Sequence, residues 1–405
     1  MQNKKKIFND PVYGFISIPD EIHFDIIEHP YFQRLRRIKQ LGMSHFVYPG
    51  ALHTRFNHSL GAMYLMQSAI QTLRSKGKHI SHDEARAVSL AILLHDVGHG
   101  PYSHTLEQSI VEGISHEQLS LLIMQNLLKQ ELLPAETIEI FRDSHPKSFL
   151  SGLVSSQLDM DRIDYLRRDS FFTGVSEGAI NTERLITMLD VVDNELVIEA
   201  KGIYSVENFI VSRRLMYWQV YLHKTVLAAE SMLTNILRRA KQLAFEGHDL
   251  FATPALKHFL YNSLTLSDFE NDEMNLIHFT ELDDYDIFAS IKVWSKNPDK
   301  ILSYLCRCIV NRNLFKSEIS DVDFDGSRIE SLRIQLKKRF EIKDADVSYL
   351  LYHGTTSNKA YDPNQPNINI LYKDGSIRNI TEAADQLNIS VLATPVVKHY
   401  LCYPK

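Results

Sequence analysis

Apolar residues recur every three to four positions along most of the chain up to about residue 313, which is the spacing of helices with one buried face. The pattern predicts helices over residues 24–41, 62–73, 117–133, 134–143 and 206–245. Beyond residue 327 it predicts a basic helix over 328–339 and strands over 345–352, 368–372 and 391–397. We therefore expect a mainly α fold with an N-terminal arm (1–22), a helical domain (23–326) and a small α+β C-terminal region (327–405).

One stretch, residues 90–107 with the sequence LAILLHDVGHGPYSHTLE, carries polar groups into an otherwise apolar helix. The sequence SHDE at residues 81–84 has the spacing of a capping box, which predicts where this helix begins. The sequence GHGP at residues 98–101 predicts its end, because glycine and proline do not continue a helix. A buried charge without a partner costs several kcal/mol or more, so His95 and Asp96 need a partner, and a metal ion is the obvious one.

Composition narrows the class of protein. With 405 residues, 44% hydrophobic and 23% charged residues, the chain has the make-up of a globular domain with a large core. Its net charge of −6 disfavours a broad nucleic-acid surface, and the cations within residues 34–39 are interpreted mostly as a solvated helix face. We find no signal peptide and no bilayer-length apolar run, and the three cysteines form no CxxC pair. We therefore expect a reduced, cytoplasmic protein without a membrane partner.

Four residues are candidates for a metal site: His58, His95, Asp96 and Asp161. Two imidazoles and two carboxylates form a mixed nitrogen and oxygen set that suits one divalent ion, such as Mn, Fe, Zn, Ni or Mg. Such an ion lowers the pKa of bound water and polarises a phosphoryl oxygen, as phosphoester hydrolysis requires. Taken alone, His58 is better explained as a hydrogen-bonded core histidine, but the adjacent His95-Asp96 pair with Asp161 downstream favours the metal.

The same residues carry a family resemblance. In order, they match the H…HD…D signature of the HD phosphohydrolase superfamily. The surrounding sequences resemble its deoxynucleoside triphosphate (dNTP) triphosphohydrolase branch, namely KQLGMSHFVYPGALHTRFNHSLG, LLHDVGHGPYSH, SHEQ and LDMDRIDYLRRD. The similarity extends from about residue 7 to 224 and, more loosely, into the C-terminal region. It implies an HD-domain helical fold and cleavage between the 5′ oxygen and the α-phosphorus, which releases a deoxynucleoside and triphosphate.

The resemblance also implies catalytic residues beyond the metal ligands. His99 and His116 match two further active-site histidines of the family. One of them must protonate the departing 5′ oxygen, because an alkoxide is a poor leaving group and histidine exchanges protons near neutral pH. Glu107 stands where the family often has Asp and is expected to orient a histidine.

Substrate contacts follow from the same alignment. Cations that match triphosphate contacts are Arg55, Arg162, Arg213 and Lys224. Gln40 and Leu41 match the pair that packs on the deoxyribose and would crowd a 2′-hydroxyl. Asp169 matches the acceptor for the 3′-hydroxyl, and His104 is expected near the α-phosphate. Tyr165 and Tyr221 are expected to close the sugar and base pocket, although core packing is the plain alternative for each aromatic ring.

Regulation by a nucleotide such as GTP or a dNTP is a further implication of the resemblance. Residues that match a guanine-nucleotide effector site are Lys6, Ile7, Asn9, Glu28, Gln33 and Arg36, with Glu28 in place of an Asp. Arg184 and Lys201 match parts of a neighbouring deoxynucleotide site, where Glu199 replaces a cation. The alternative is plain packing between subunits of a homo-oligomer, either a dimer or a tetramer.

Three other functions are also compatible with the sequence. The first is an HD phosphohydrolase acting on a nucleoside monophosphate, a cyclic dinucleotide or an alarmone, although a monophosphate would not need so many cations. The second is a non-catalytic nucleotide sensor, which would not need His99, Glu107 or His116 as proton-transfer machinery. The third is single-strand nucleic-acid binding, which requires a positive groove that the net charge does not indicate.

Overall fold

The computed structural model describes residues 6–102, 104–107, 109–359, 361–362, 367–385 and 394–405, apart from the side chains of His104 and Glu107. This part of the chain is mainly helical, as the hydrophobic pattern predicts. Its α-helices are α1 (Glu21–Glu28), α2 (Pro30–Gln33), α3 (Arg55–Ser75), α4 (His82–Leu94), α5 (His104–Glu107), α6 (His116–Lys129), α7 (Ala135–Phe141), α8 (Ser148–Val154), α9 (Met160–Thr173), α10 (Thr182–Thr187), α11 (Ile203–Met216), α12 (Lys224–Phe245), α13 (Pro254–Tyr261), α14 (Leu266–Asn271), α15 (Glu273–Glu281), α16 (Asp284–Trp294), α17 (Lys300–Val310), α18 (Gly326–Phe340) and α19 (Ile380–Ala383).

Helix α3 lies at the centre of the helical part and packs against α4 and α9. It begins at a capping box, in which the Thr54 side chain and the Asn57 side chain each satisfy a main-chain group of the other. Helix α4 begins at the capping box that the sequence predicts: the Ser81 hydroxyl accepts from the Glu84 amide at 3.0 Å, and the Glu84 carboxylate accepts from the Ser81 amide at 2.7 Å. These helix starts fix which residues of α3 and α4 face each other and which residues of α3 face α9.

Short strands form three small sheets. They are β1 (Ile7–Asp10), β2 (Gly14–Ser17), β3 (Leu189–Val192), β4 (Glu195–Glu199), β5 (Lys316–Ser320), β6 (Tyr352–Asn358), β7 (Asn369–Leu371), β8 (Ile377–Asn379) and β9 (Val396–Tyr403). β1 and β2 form an antiparallel hairpin, and β5, β9 and β6 form an antiparallel sheet in that order. The third sheet has the order β3-β4-β7-β8, and its parallel β4–β7 pair joins the C-terminal region to the helical part.

Two predicted helices are interrupted. The helix predicted over residues 24–41 breaks before Pro30, whose ring prevents the preceding turn from continuing, and the chain then forms a 3-10 turn at Arg34–Arg37. The helix predicted over 206–245 breaks after a π-helical turn, Tyr217–Tyr221. Leu222 donates to the Tyr217 carbonyl at 2.7 Å, which closes the wide turn, and His223 then caps α12 through its ring nitrogen.

The strand predicted over residues 345–352 is wrong. A 3-10 turn, Asp344–Tyr349, occupies most of that range, and β6 begins only at Tyr352. The strand predicted over 368–372 corresponds to β7. β9 begins at Val396, near the end of the predicted range 391–397, and continues to Tyr403, while residues 391–393 lie outside the described part of the chain. Among the described residues, every helix falls short of the combined length and hydrophobicity that a bilayer crossing demands.

Candidate active site

Three of the predicted metal ligands meet where α3, α4 and α9 converge. The His58 Nε2 atom lies 3.0 Å from the Asp161 Oδ1 atom and 3.3 Å from the His95 Nε2 atom. The His95 Nε2 atom lies 3.4 Å from the same Asp161 oxygen. Ligand atoms that share one ion at bond lengths of about 2.1 Å stand roughly 3.0–3.4 Å apart, so this spacing fits a common ion.

The fourth predicted ligand, Asp96, lies beside this group. Its Oδ1 atom is 3.3 Å from the His95 Nε2 atom and 3.3 Å from the His99 Nε2 atom. Its Oδ2 atom is 3.8 Å from the His58 Nε2 atom and is ion-paired with the Arg55 guanidinium. Asp96 therefore links the metal-ligand group to a predicted catalytic histidine and to a predicted phosphate contact.

The ring orientations of the two histidine ligands also fit a metal. The Nδ1 atom of His95 lies 2.6 Å from the Ile92 carbonyl oxygen, which only accepts hydrogen bonds. The Nδ1 atom of His58 lies 2.7 Å from the Asp164 carboxylate. With the proton of each neutral ring held at Nδ1, both Nε2 lone pairs face Asp161, which is the arrangement of metal-binding histidines.

Asp164 is itself held by a second set of contacts. The Arg168 guanidinium donates to both Asp164 oxygens at 2.9 and 3.1 Å and to Asp10 at 2.7 Å. Gly61 makes this possible, because a Cβ atom there would lie 2.0 Å from an Asp164 oxygen and 2.2 Å from an Arg168 nitrogen. Helix α3 therefore carries a glycine one turn after His58 so that the supporting carboxylate can pack against its backbone.

The metal-ligand group strongly favours a positive charge. Burial opposes a charged His58 ring, but the carboxylates of Asp161 and Asp164 prevail and raise its pKa to about 10. Burial likewise opposes the Asp161 charge, yet the two histidines hold its pKa well below the usual range. The group therefore attracts either a proton or a metal cation into an otherwise buried position.

Two histidines stack directly beside this group. The rings of His99 and His116 lie parallel, with centroids 3.8 Å apart and an interplanar angle of 15°. Burial and the Arg55 guanidinium lower the pKa of His99 to about 3, so its ring is neutral at neutral pH. Gly98 allows the close approach, because a Cβ atom there would lie 2.2 Å from the main-chain oxygen of His116. The side chains of His104 and Glu107 lie outside the described part of the chain.

The predicted sugar contacts form a second group of polar residues. Tyr221, at the end of the π-helical turn, donates to the Asp169 carboxylate at 2.7 Å, and the Nε2 atom of His53 lies 2.8 Å from the other Asp169 oxygen. The Tyr165 and Tyr221 rings meet edge to face at 6.1 Å. Asp161, Tyr165 and Asp169 are spaced by four residues on α9, so the metal-ligand group and this group lie along one side of that helix.

The remaining predicted phosphate contacts are more dispersed. Arg162 follows Asp161 on α9 and donates through Nε to the main-chain oxygen of Ser156 at 2.5 Å. The Arg213 guanidinium lies 5.9 Å from the Tyr217 ring centroid, and its buried Nε atom has no hydrogen-bond partner among the described residues. Lys224 is exposed at the first residue of α12. Of these cations, Arg55 is joined to the metal-ligand group through its ion pair with Asp96.

The effector candidates form two pairs. The Arg36 Nε atom donates to the Gln33 side chain at 2.9 Å, and the Arg184 guanidinium donates to the Lys201 carbonyl at 2.8 Å. Lys6 stacks on the Phe24 ring. The other candidates on the arm and first helix are exposed: Ile7, Asn9 and Glu28. Glu199, which replaces a family cation, accepts from Lys76 at 2.6 Å.

Sequence reasoning missed three residues that hold the site together. Asp164 stands in the acidic run of α9, which was a usable signal, but its contact with His58 was not predicted. His53 lies two residues before Arg55 within a motif that the sequence already singled out. Arg34 belongs to the group of cations that was interpreted mostly as a solvated helix face, yet it is fully buried and donates to main-chain oxygens beside the site. Its partners are main-chain atoms, and no residue type reveals such partners.

Comparisons with known proteins agree with this site. Residues 55–169 match the HD domain, and residues 180–252 match the HD associated region. The uncharacterized protein YwfO of Bacillus subtilis is 35% identical over 420 residues, covering 100% of this chain and 93% of that protein. Human deoxynucleoside triphosphate triphosphohydrolase SAMHD1 is 31% identical over 280 residues, which cover 58% of this chain and 44% of the human protein.

A solved structure extends the likeness to the whole chain. The crystal structure of a phosphohydrolase from Bacteroides thetaiotaomicron superposes with a TM-score of 0.96 at 54% sequence identity. The match covers 99% of this chain and 100% of that protein. The family matches, the full-length relatives and the close grouping of His58, His95 and Asp161 lead to one conclusion: the chain belongs to the HD-domain phosphohydrolase family.

Proposed function

We propose that this protein hydrolyses dNTPs to a deoxynucleoside and inorganic triphosphate. The observation that carries the proposal is the alignment of Asp161, Tyr165 and Asp169 along α9, which sets a metal-ligand group beside a carboxylate suited to a sugar hydroxyl. A phosphohydrolase that recognises only the phosphate part of its substrate would not need the polar group around Asp169. The likeness to SAMHD1, whose name states this reaction, supports the same substrate class.

The buried ligands and their neighbours have separate tasks in this proposal. A divalent ion held by His58, His95 and Asp161 would polarise a phosphoryl oxygen and lower the pKa of a water. Arg55 is ion-paired with Asp96, which holds its guanidinium beside the metal-ligand group, where its positive charge can neutralise the charge of a phosphate. Burial, together with the positive charge of Arg55, lowers the pKa of His99 and so keeps that ring neutral in the free enzyme.

In this proposal the stacked histidines, His99 and His116, transfer the proton to the departing 5′ oxygen. His116 is the more accessible ring, with 23% of its side chain exposed against 6% for His99. His99 lies between His116 and Asp96, so it can orient the outer ring and hold a position next to the reacting phosphorus. His116→Ala should therefore retain metal and nucleotide binding while turnover falls about a hundredfold or more.

The proposal extends to assembly and regulation. The arm hairpin exposes Ile7 and Phe15, which are 54% and 68% accessible, and these suit contact with another copy of the chain. The Gln33–Arg36 pair beside the arm offers hydrogen-bond donors to a guanine nucleotide. We expect GTP to shift the sedimentation of the protein toward a larger homo-oligomer, and Arg36→Ala to abolish the shift.

Product analysis tests the reaction itself. Purified protein with Mn²⁺ or Mg²⁺ is given each dNTP, singly and mixed, with and without GTP, and the products are separated by chromatography. Deoxynucleoside plus triphosphate supports the proposal, and dependence on GTP or on the mixture supports effector control. Diphosphate or monophosphate products contradict it, as does bound nucleotide without turnover. His95→Ala is the inactive control, because it removes a metal-ligand candidate.

A further inference from the structure

His53 connects the two parts of the molecule that are proposed to read the sugar. Its main-chain oxygen accepts a hydrogen bond from the Gln40 amide at 3.0 Å, and its Nε2 atom lies 2.8 Å from the Asp169 Oδ1 atom. The main-chain hydrogen bond helps to fix the position of Gln40 and of its neighbour Leu41, which are the candidates on the 2′ side of the sugar. The side-chain hydrogen bond helps to fix the orientation of Asp169, the candidate on the 3′ side.

The surroundings of His53 fix which ring nitrogen donates. Both side chains are buried, with His53 0% and Asp169 1% exposed, and the His53 ring stacks on Phe172 at 4.5 Å. Its Nδ1 atom is buried without a hydrogen-bond partner among the described residues. A proton on Nδ1 would leave a buried donor unsatisfied, which costs about 1–3 kcal/mol. The proton therefore sits on Nε2, and His53 donates to Asp169.

Asp169 consequently holds one donor on each oxygen, His53 on Oδ1 and the Tyr221 hydroxyl on Oδ2. Two donors on different oxygens prevent the carboxylate from rotating about its terminal torsion. Each carboxylate oxygen has two acceptor sites, so one remains on each for a further hydroxyl. Such a preset acceptor gains more from a correctly placed hydroxyl than a freely rotating one does, because less entropy is lost on binding.

We propose that His53 is a positioning residue that gives the enzyme selectivity for a 3′-hydroxyl by orienting Asp169. The proposal rests on the proposed function, because it takes the sugar of a dNTP as the group that Asp169 contacts. His53 itself does not touch the substrate. Its side chain controls recognition on the 3′ side, whereas its main chain supports the 2′ side independently of the side chain.

The test compares three substrates with the same base: the dNTP, the 2′,3′-dideoxy analogue and the ribonucleotide. Variants without a donor that reaches Asp169 are His53→Leu, which keeps the ring's bulk, and His53→Asn, whose amide is too short. In both, the ratio of kcat/KM for the dNTP over the dideoxy analogue should fall about tenfold, the value of a hydrogen bond to a charged group. His53→Gln places an amide donor near the position of Nε2 and should restore most of the ratio.

The ribonucleotide provides an internal control. Because substitution leaves the His53 carbonyl in place, the ratio for the dNTP over the ribonucleotide should stay within about twofold of its original value. Equal losses on all three substrates would overturn the proposal and leave His53 a packing residue. An unchanged dideoxy ratio in the Leu and Asn variants would overturn it too.

Dissociation constants for the three nucleotides, measured with the active-site metal present, separate this proposal from the proposed function. If the unaltered protein hydrolyses none of them yet its binding preference for the 3′-hydroxyl falls in the donor-less variants, the reaction is refuted and the role of His53 is retained. If triphosphate is released but no variant changes the dideoxy ratio, the reaction stands and the role of His53 is refuted.

Discussion

The Arg34 guanidinium donates a hydrogen bond to the main-chain oxygen of His99 at 2.6 Å and another to that of Val97 at 2.8 Å. Both oxygens belong to the turn that follows α4 and carries His99, the predicted catalytic histidine. Burial lowers the pKa of Arg34 to about 9, so the group remains charged at neutral pH. A buried cation thus pairs with main-chain oxygens at the negative end of a helix and clamps the turn next to Asp96.

Arg34→Met should loosen this turn while keeping most of the buried volume. It leaves two buried carbonyl oxygens without donors, and we expect the free energy of unfolding to fall by about 2–4 kcal/mol. Because the turn carries His99, kcat should fall by about tenfold or more in molecules that remain folded. Lysine carries its charge on one nitrogen and lacks the planar guanidinium that donates to both oxygens. Arg34→Lys should therefore recover only part of the lost stability and part of the lost kcat.

Arg37→Met is the matched control, because it removes the same group from the same 3-10 turn. Arg37 is 45% exposed and pairs with Asp283 rather than with the active-site turn. Its loss should leave kcat near the original value and change stability by about 1 kcal/mol at most. Denaturant titration measures the free energy of unfolding of both variants, and steady-state kinetics measures their kcat. Equal effects of the two substitutions would show that Arg34 does not act through the turn.

Gly61→Ala should disturb the metal-ligand group through its supporting carboxylate. The added Cβ atom would lie 2.0 Å from an Asp164 oxygen, so the Asp164–Arg168 pair must move away from α3. Overpacking of this kind typically costs about 1–3 kcal/mol of stability. Displacement of the Asp164 contact with His58 should also weaken metal binding by about 10-fold to 100-fold.

Gly326→Ala makes the same chemical change at a site with open space. Gly326 is the first residue of α18, and a Cβ atom there would have no neighbour within 4 Å among the described residues. We expect unchanged metal affinity and unchanged or slightly higher stability, because alanine forms helix better than glycine does. Metal titrations against a competing chelator compare the two variants. Full metal affinity in Gly61→Ala would refute the role of Asp164.

The fold class was predictable because it depends on local signals. Hydrophobic periodicity identified the helical part, and the capping box at Ser81 and Glu84 gave the start of α4 within one residue. The hydrophobic pattern failed where a local break competed with it. Pro30 ended one predicted helix, and the π-helical turn at Tyr217–Tyr221 ended another, because apolar spacing alone does not register a single wide turn.

The site was only partly predictable for a different reason. Residue types suggested His58, His95 and Asp161 as ligands, and the structure places them together. The contact between His53 and Asp169 spans 116 positions, so no local pattern indicates it. The burial of Arg34 was not predicted, because a cation that pairs with carbonyl oxygens looks in sequence like one on a solvated face.

Metal removal should lower thermal stability through the His58, His95 and Asp161 group. An ion present at about a hundredfold its dissociation constant adds about 2.7 kcal/mol to the free energy of unfolding, so a chelator should lower Tm measurably. His95→Ala should abolish the Tm difference between metal-loaded and chelated protein. Differential scanning calorimetry with Mn²⁺ and with a chelator measures this Tm difference. A metal-dependent Tm in His95→Ala would place the ion elsewhere.

The control is a second group of ligand-type atoms, formed by Glu84, Glu136 and His145. There the Lys147 ammonium lies 2.7 Å from the Glu84 carboxylate, which is already neutralised. The Lys147 amide donates to the Nδ1 atom of His145, so the neutral ring carries its proton on Nε2, which points at Glu136. This arrangement is an ion-pair network, and His145→Ala should preserve the full metal-dependent Tm shift.

Glu318 should give the C-terminal sheet a stability that depends on acid pH. It accepts from the Tyr403 hydroxyl at 2.5 Å and from Arg328 at 2.7 Å, with Lys316 at 3.0 Å. The Tyr403 hydrogen bond, followed by that from Arg328, lowers the pKa of Glu318 to about 2. A carboxylate with a depressed folded pKa stabilises the protein above its unfolded pKa of about 4.5, and this stabilisation is lost as the pH falls toward 2.

Glu318→Gln should therefore lower the free energy of unfolding near pH 7 by about 1 kcal/mol at most, because the site is partly exposed and screened by solvent. The difference between the two proteins should shrink as the pH drops below about 4.5, since protonation removes the same charge from the unsubstituted protein. Denaturant titrations at pH values between about 7 and 3 measure this difference. Glu341→Gln, at an 81% exposed carboxylate paired with Lys300 at 3.3 Å, is the control and should have no measurable effect. A Glu318→Gln difference that stays constant across the pH range would show that shape rather than charge holds the sheet edge.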